Sequence, residues 1–191
     1  MGLGILIGIV SIVLIMVVVI YNGIITRMNA VERGWANVIT QERQKNKMIP
    51  HLEQVTEQFK QHEMGLQSSI AELRSGLARL QPGTIDTATL QQVEGSTQKL
   101  LQGLTVAVEA YPELKASEIF NNLMREIAEQ QENIGAAIRI FNQNVEDFNN
   151  GIEVFPNSLV NTLVNTLLNK KTRVTPFHDS EAEAGFEYKL K

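Results

Sequence analysis

The side chains best suited to hold a metal or move a proton near neutral pH are His51, His62 and His178, and no two of them stand three or four residues apart. His62-Glu63 opens like HExxH, a helical motif that places two imidazoles and a carboxylate base on one zinc ion. The fifth residue is Leu66, so the second ligand is missing. The sequence has no glycine-rich phosphate loop, no GxSxG elbow and no acid pair in an apolar setting. Glu126, Glu129 and Glu132 fall opposite the apolar rows of a helix and read as a solvated face. Without cysteine there is neither a disulfide nor a thiolate metal site. These observations predict no catalytic, cofactor-binding or metal-binding residues, and a protein that is not an enzyme.

The elements explain more than the side chains do. From Gly2 to Ile25 the chain runs 24 residues without a charge. At helical rise that is about 36 Å, more than a bilayer core of about 30 Å. Leu3, Ile5, Leu6, Ile9, Ile12, Leu14 and Ile20 are its expected lipid-facing residues. The run has no basic n-region and no small-residue cleavage site, so it is expected to be retained as a single-pass anchor over residues 1–25. Gly4 and Gly8 have the spacing that allows two membrane helices to approach closely. Arg27, Arg33, Arg43 and Lys45 follow the span, diluted by Glu32 and Glu42. The positive-inside bias places the soluble domain in the cytoplasm, with a periplasmic domain as the alternative. The net charge of −4 and the absence of a basic stripe argue against a nucleic-acid partner.

Beyond the anchor, helix formers continue to Leu80 with only Pro50 interrupting, which predicts one long helix kinked at Pro50 unless a new one starts nearby. Leu52, Phe59, Leu66, Leu73 and Leu80 make a row at heptad spacing, and Val31, Trp35 and Val38 extend the apolar face upstream. QPGTID, residues 81–86, is the clearest turn, with Asp86 or Thr87 able to cap the helix that follows, from about Thr87 to Tyr111. One of its rows is Leu90, Leu104 and Tyr111 with Thr97 interrupting; the other is Val93, Leu100 and Ala107. A third soluble helix, Glu118 to Gly151, carries two heptad rows. They are Phe120, Ile127, Ile134, Phe141 and Phe148, and Met124, Gln131, Ile138, Val145 and Ile152. Trp35, Phe59 and the aromatic and Ile members of the first row are the expected bundle core.

After Phe155-Pro156, the stretch NSLVNTLVNTLLNKK repeats Asn and an apolar pair every four residues. Such rows drift only about 40° per step, which predicts an amphipathic helix over residues 157–171. Its apolar side either closes the bundle while Asn faces water, or forms an interface. That interface is with the bilayer, near Lys170 and Lys171, or with neighbouring subunits through Asn157, Asn161, Asn165, Leu159, Leu163 and Leu167. The tail, residues 172–191, is polar and is expected to be mobile unless an assembly orders it, with Phe177, Phe186 and Tyr188 as docking points.

Several of these segments, taken in order, resemble the LemA family of bacterial membrane-anchored proteins. The likeness begins in YNGIITRMNAVERGW, at Tyr21, Asn22, Asn29, Val31 and Trp35, and continues at Ile49, Pro50 and Leu52 of MIPHL. It resumes in AVEAYPELKAS at Glu109, Tyr111, Pro112, Leu114 and Lys115, and then at Phe120, Leu123, Glu126, Glu132, Asn133 and Ile134. It closes at Asn142, Val145, Asn149, Phe155 and Pro156, spanning roughly residues 15 to 160. Met28 and Ile138 stand where the family tends to have Arg, and residues 67–100 match poorly. The resemblance implies a bacterial inner-membrane protein and supplies no catalytic residues.

The expected fold is therefore all-α. An N-terminal transmembrane helix continues into an antiparallel bundle of long helices, residues 26–156, followed by a short C-terminal amphipathic helix. The expected role is a scaffold that self-associates into a homo-oligomer on the lipid bilayer. The alternatives are an adaptor for a membrane protease or transporter, and a membrane-surface remodelling protein.

Overall fold

The computed structural model describes residues 2–57, 64–111, 117–168 and 171–178; within these, side chains are described except for residues 64 and 164–168. Every regular element among them is a helix. They are α1 (Gly2–Gln44), a 3-10 turn (Lys45–Lys47), α2 (Ile49–Glu57), α3 (Met64–Arg79), α4 (Thr87–Ala110), α5 (Glu118–Glu153) and α6 (Asn157–Leu168). The chain divides into two compact units, Met1–Gly34 with Phe141–Pro176, and Trp35–Ile140 with Phe177–Lys191. α1 and α5 each contribute to both.

In the first unit α1 and α5 run antiparallel. Asn144 Nδ2 donates to the Ala30 carbonyl at 3.2 Å, and a methyl group on Gly34 would come within 3.2 Å of Phe141 Cα. Gly151 packs against the stem of Arg27, where a Cβ would meet Arg27 Cδ at 2.7 Å. Ile24, Val31, Phe141, Val145, Phe148 and Ile152 fill the space between. Toward the N-terminus this packing stops, and the apolar side chains from Leu3 to Ile15 stand exposed.

The second unit shows why the chain is not one long kinked helix to Leu80. In a continuous helix the Pro50 ring would strike the carbonyl of Asn46 and leave it without a donor. The chain instead tightens into the 3-10 turn at Lys45–Lys47, with Met48 N donating to Lys45 O at 3.0 Å. α2 then starts with Pro50 in its first turn, where no amide hydrogen is needed. After α2 the chain reverses: Arg74 of α3 pairs with Glu53 of α2. The heptad row Leu52 to Leu80 is therefore split between two helices, with Leu52 buried on α2 and Leu73 and Leu80 buried at α3 and its end. Phe59 lies outside the described residues.

α3 and α4 form a helical hairpin about the Pro-Gly turn. Arg79 reaches Gln92 at 3.1 Å, Lys99 reaches Glu72 at 3.7 Å, and Gly76 lets Val93 approach so closely that a Cβ would stand 2.8 Å from its methyl group. Asp86 caps α4, accepting from Thr89 N at 2.9 Å. The Thr89 hydroxyl, donating to Asp86 Oδ2 at 2.6 Å, and then the Thr89 backbone amide hold the Asp86 carboxyl below its usual range. α4 ends at Ala110, and Tyr111 N closes its last turn on Ala107 O at 2.9 Å. All ten members of the α5 heptad rows are buried, Gln131 included.

Candidate functional site

The expectation that no acid pair sits in an apolar setting is overturned. Glu42, at the end of α1, and Glu94, in the middle of α4, are both 0% exposed, and the Lys45 ammonium lies between them. Lys45 Nζ stands 2.6 Å from Glu94 Oε1, 2.9 Å from Glu42 Oε2 and 3.1 Å from Thr97 Oγ1. The Thr97 hydroxyl hydrogen is already donated to Val93 O, so its oxygen is free to accept from Lys45. Gln131 Nε2, from α5, donates to Glu94 Oε2 at 3.2 Å. The cluster thus ties the end of α1 to α4 and α5.

Two carboxylates and one ammonium would leave a buried negative charge, which an apolar interior does not tolerate. The protonation states resolve this. Burial raises the Glu42 carboxyl well above its usual range, and the Glu94 charge adds to that rise. Burial would also raise Glu94, but the Lys45 charge and the hydrogen bonds that Lys45 and Gln131 donate hold it low. Lys45, which burial alone would discharge, is held above its usual range by the two carboxyl groups. The neutral arrangement is a protonated Glu42 beside an ionised Glu94–Lys45 pair.

The end of α1 is fixed by further bonds. Trp35 Nε1 donates to Gln81 O at 3.1 Å, an Arg43 guanidinium nitrogen donates to Leu80 O at 2.6 Å, and Gln130 Nε2 donates to Gln41 O at 2.8 Å. The charges at 43 and 45, which the positive-inside argument counts as topological signals, are thus occupied in packing the bundle. Lys45 is only 2% exposed.

The predicted residues fall in three groups. Leu3, Ile5, Leu6, Ile9, Ile12 and Leu14 are exposed along α1, and Ile20 is half-buried where packing begins. Trp35, Phe120, Ile127, Ile134, Phe141 and Phe148 are all in the core. On α6 the described amides turn inward, beside buried Val160, and not to water. Asn161 is buried and donates to Lys171 O at 3.1 Å, and half-buried Asn157 donates to Gly151 O at 2.9 Å. Leu159 and Leu163 are exposed. Each of these amides gives one N–H to a carbonyl of its own chain, which leaves its second N–H and its oxygen for another partner. The side chains of Asn165 and Leu167 lie outside the described residues.

Residues 171–178, expected to be mobile, are held by their own chain. Asn149 exchanges two hydrogen bonds with the backbone of Val174, at 2.9 and 3.0 Å, and Phe177 is buried. Phe186 and Tyr188 lie outside the described residues, as does His62. His51 is exposed, with Nδ1 3.6 Å from Glu126 Oε2, and His178 is exposed. Among the described residues no three His, Asp or Glu side chains converge as a metal site. A groove of about 540 Å³ between α3 and α4 is mainly apolar, lined by Leu66, Gly103, Val106 and Ala107 with Lys99 at its side.

No curated protein and no solved structure matches the chain. A family model, that of the LemA family, matches residues 34–183, so the shared pattern extends through α6 and into the tail, which the sequence motifs alone had left outside it. With that match spanning most of its length, the chain belongs to the LemA family.

Proposed function

We propose that this protein is a non-enzymatic scaffold, anchored in a bacterial membrane by the first part of α1 and self-associating into a homo-oligomer. The observation that carries the reading is the continuity of α1. One unbroken helix of 43 residues begins as a fully exposed apolar rod and ends inside a helical core. Among the described residues it is the one helix long and apolar enough to cross a membrane. Exposed apolar side chains of this density are costly in water, at about 25 cal/mol per Å² of apolar surface, and are matched by lipid.

Two further observations support a structural role. The only concentration of perturbed ionisable groups among the described residues is sealed from solvent, with Glu42, Lys45 and Glu94 at most 2% exposed, so it meets no diffusing substrate. Away from the anchor, Val106, Ile119 and Ile140 remain exposed on α4 and α5, as surfaces for lateral association. The test is the mass of the complex extracted gently from its native membrane, by native mass spectrometry or single-particle imaging. A closed homo-oligomer supports the scaffold; a monomer bound to one different protein overturns it in favour of an adaptor.

A further inference from the structure

The corner between α5 and α6 exposes an apolar cluster that the packing of the first unit leaves uncovered. Phe155 is 78% exposed, and Val154, Leu159 and Leu163 are each at least half exposed. Val154 and Phe155 occupy the bend, with Ser158 N donating to Val154 O at 2.9 Å. Leu159 and Leu163 are one turn apart on α6. The opposite side of that helix holds Val160 and Asn161, both buried.

The position of this cluster along α1 follows from the antiparallel packing within the same unit. Phe141 lies beside Gly34, Asn144 beside Ala30, and Gly151 beside Arg27. Continuing that progression past Gly151 brings residues 154 and 155 to the level of Ile20 to Gly23, where the uncharged run of α1 ends. The apolar corner therefore stands at the level along α1 just beyond its last exposed apolar side chains, Val18 and Val19. Basic groups lie on its polar side: Arg27 follows the span, and Arg173, paired with Glu153 at 2.6 Å, is exposed beside the bend.

We infer that the Val154–Phe155 bend and the Leu159–Leu163 face of α6 form a second membrane contact, seated at the boundary between lipid headgroups and acyl chains. This rests on the reading of α1 as a membrane span and adds to it. A helix lying in the interface buries its apolar side about 5–10 Å deep and keeps cations at headgroup level. The contact sets the tilt of this first unit relative to the bilayer, because a single helix crossing at one point leaves that angle unfixed.

The chain has no cysteine, so single cysteines can report each site in the full-length protein reconstituted into phosphatidylcholine–phosphatidylglycerol nanodiscs. An environment-sensitive fluorophore is attached at Phe155→Cys, with Leu159→Cys as a second reporter, Ile12→Cys within the span and exposed Glu146→Cys as the water control. Quenching is measured with doxyl-labelled lipid and with aqueous iodide. The expected result is a blue-shifted emission at 155 and 159, with intensity lost to the doxyl lipid and not to iodide. Quenching by iodide as at position 146, with position 12 quenched by lipid, overturns the second contact and leaves the anchor standing. Protection from both quenchers also overturns it, by showing that protein covers the corner. Failure of lipid to quench position 12 removes the anchor reading itself.

Discussion

Lys45 and Glu94 meet at 2.6 Å although 49 residues separate them in sequence, and neither is open to solvent. A buried pair of this kind contributes little net stability relative to an apolar isostere, but losing one partner strands the other. Lys45→Met leaves a charged Glu94 without its cation and is expected to cost about 3–5 kcal/mol. Denaturant unfolding in mild detergent, followed by the emission of the sole tryptophan, buried Trp35, reads this directly. The double variant Lys45→Met/Glu94→Gln is expected to recover a large part of the loss, since no charge is then left unpaired.

Glu42 gives the cluster a pH dependence with a definite sign. Its folded value is raised above the ordinary 4.5, so above that pH folding takes up a proton and stability falls as pH rises, until the folded value is passed. The slope for one proton is about 1.4 kcal/mol per pH unit. Glu94 acts in the other direction: its folded value is lowered, so its contribution is present above 4.5 and is lost as pH falls toward the folded value. Glu42→Gln mimics the protonated acid and is expected to flatten the decline in stability as pH rises above 4.5. An unchanged slope would show that Glu42 is already ionised in the folded protein.

The glycines of the helices predict effects of opposite sign. A methyl group on Gly34 would lie 3.0 Å from Asn144 Nδ2 and 3.2 Å from Phe141 Cα, and the latter is backbone that cannot rotate away. Gly34→Ala is expected to destabilise by about 1–3 kcal/mol through overpacking. Gly95, inside α4, has nothing within 4 Å of that position. Gly95→Ala is expected to stabilise by about 0.5–1 kcal/mol, the helix-propensity gain alone. The same thermal or denaturant unfolding series measures both.

Periodicity carried the fold further than it carried the site. The α5 rows were legible because helix and heptad spacing coincide over 36 residues, and every member is buried. The row from Leu52 to Leu80 misled because seven-residue spacing survives a chain reversal, while the break forced by Pro50 falls at Lys45–Lys47, ahead of the proline. The cluster did leave a trace: Thr97 and Gln131 are the polar members of otherwise apolar rows, and Glu94 stands three residues before Thr97 on the same side of α4. What composition cannot supply is the partner from α1, since Glu42 and Lys45 read as ordinary surface charges. On α6 the tetrad repeat defines two faces but not which turns inward, and the carbonyls of Gly151 and Lys171 decided that in favour of the amides.

Asn149 provides a test of how the segment after α6 is held. Its amide nitrogen donates to Val174 O and its amide oxygen accepts from Val174 N, so one side chain replaces a backbone partner in both directions. Asn149→Ala leaves both backbone groups of a half-buried residue unpaired, a loss of about 1–3 kcal/mol in holding the segment. Amide exchange at Val174 is expected to rise while exchange in the α5 core, at Phe141 and Val145, stays slow. Asn149→Asp keeps the acceptor and removes the donor, so it is expected to preserve part of the protection at Val174 N and to lie between parent and alanine variant. Equal protection in all three would mean that the burial of Phe177, three residues on, is enough to hold the segment by itself.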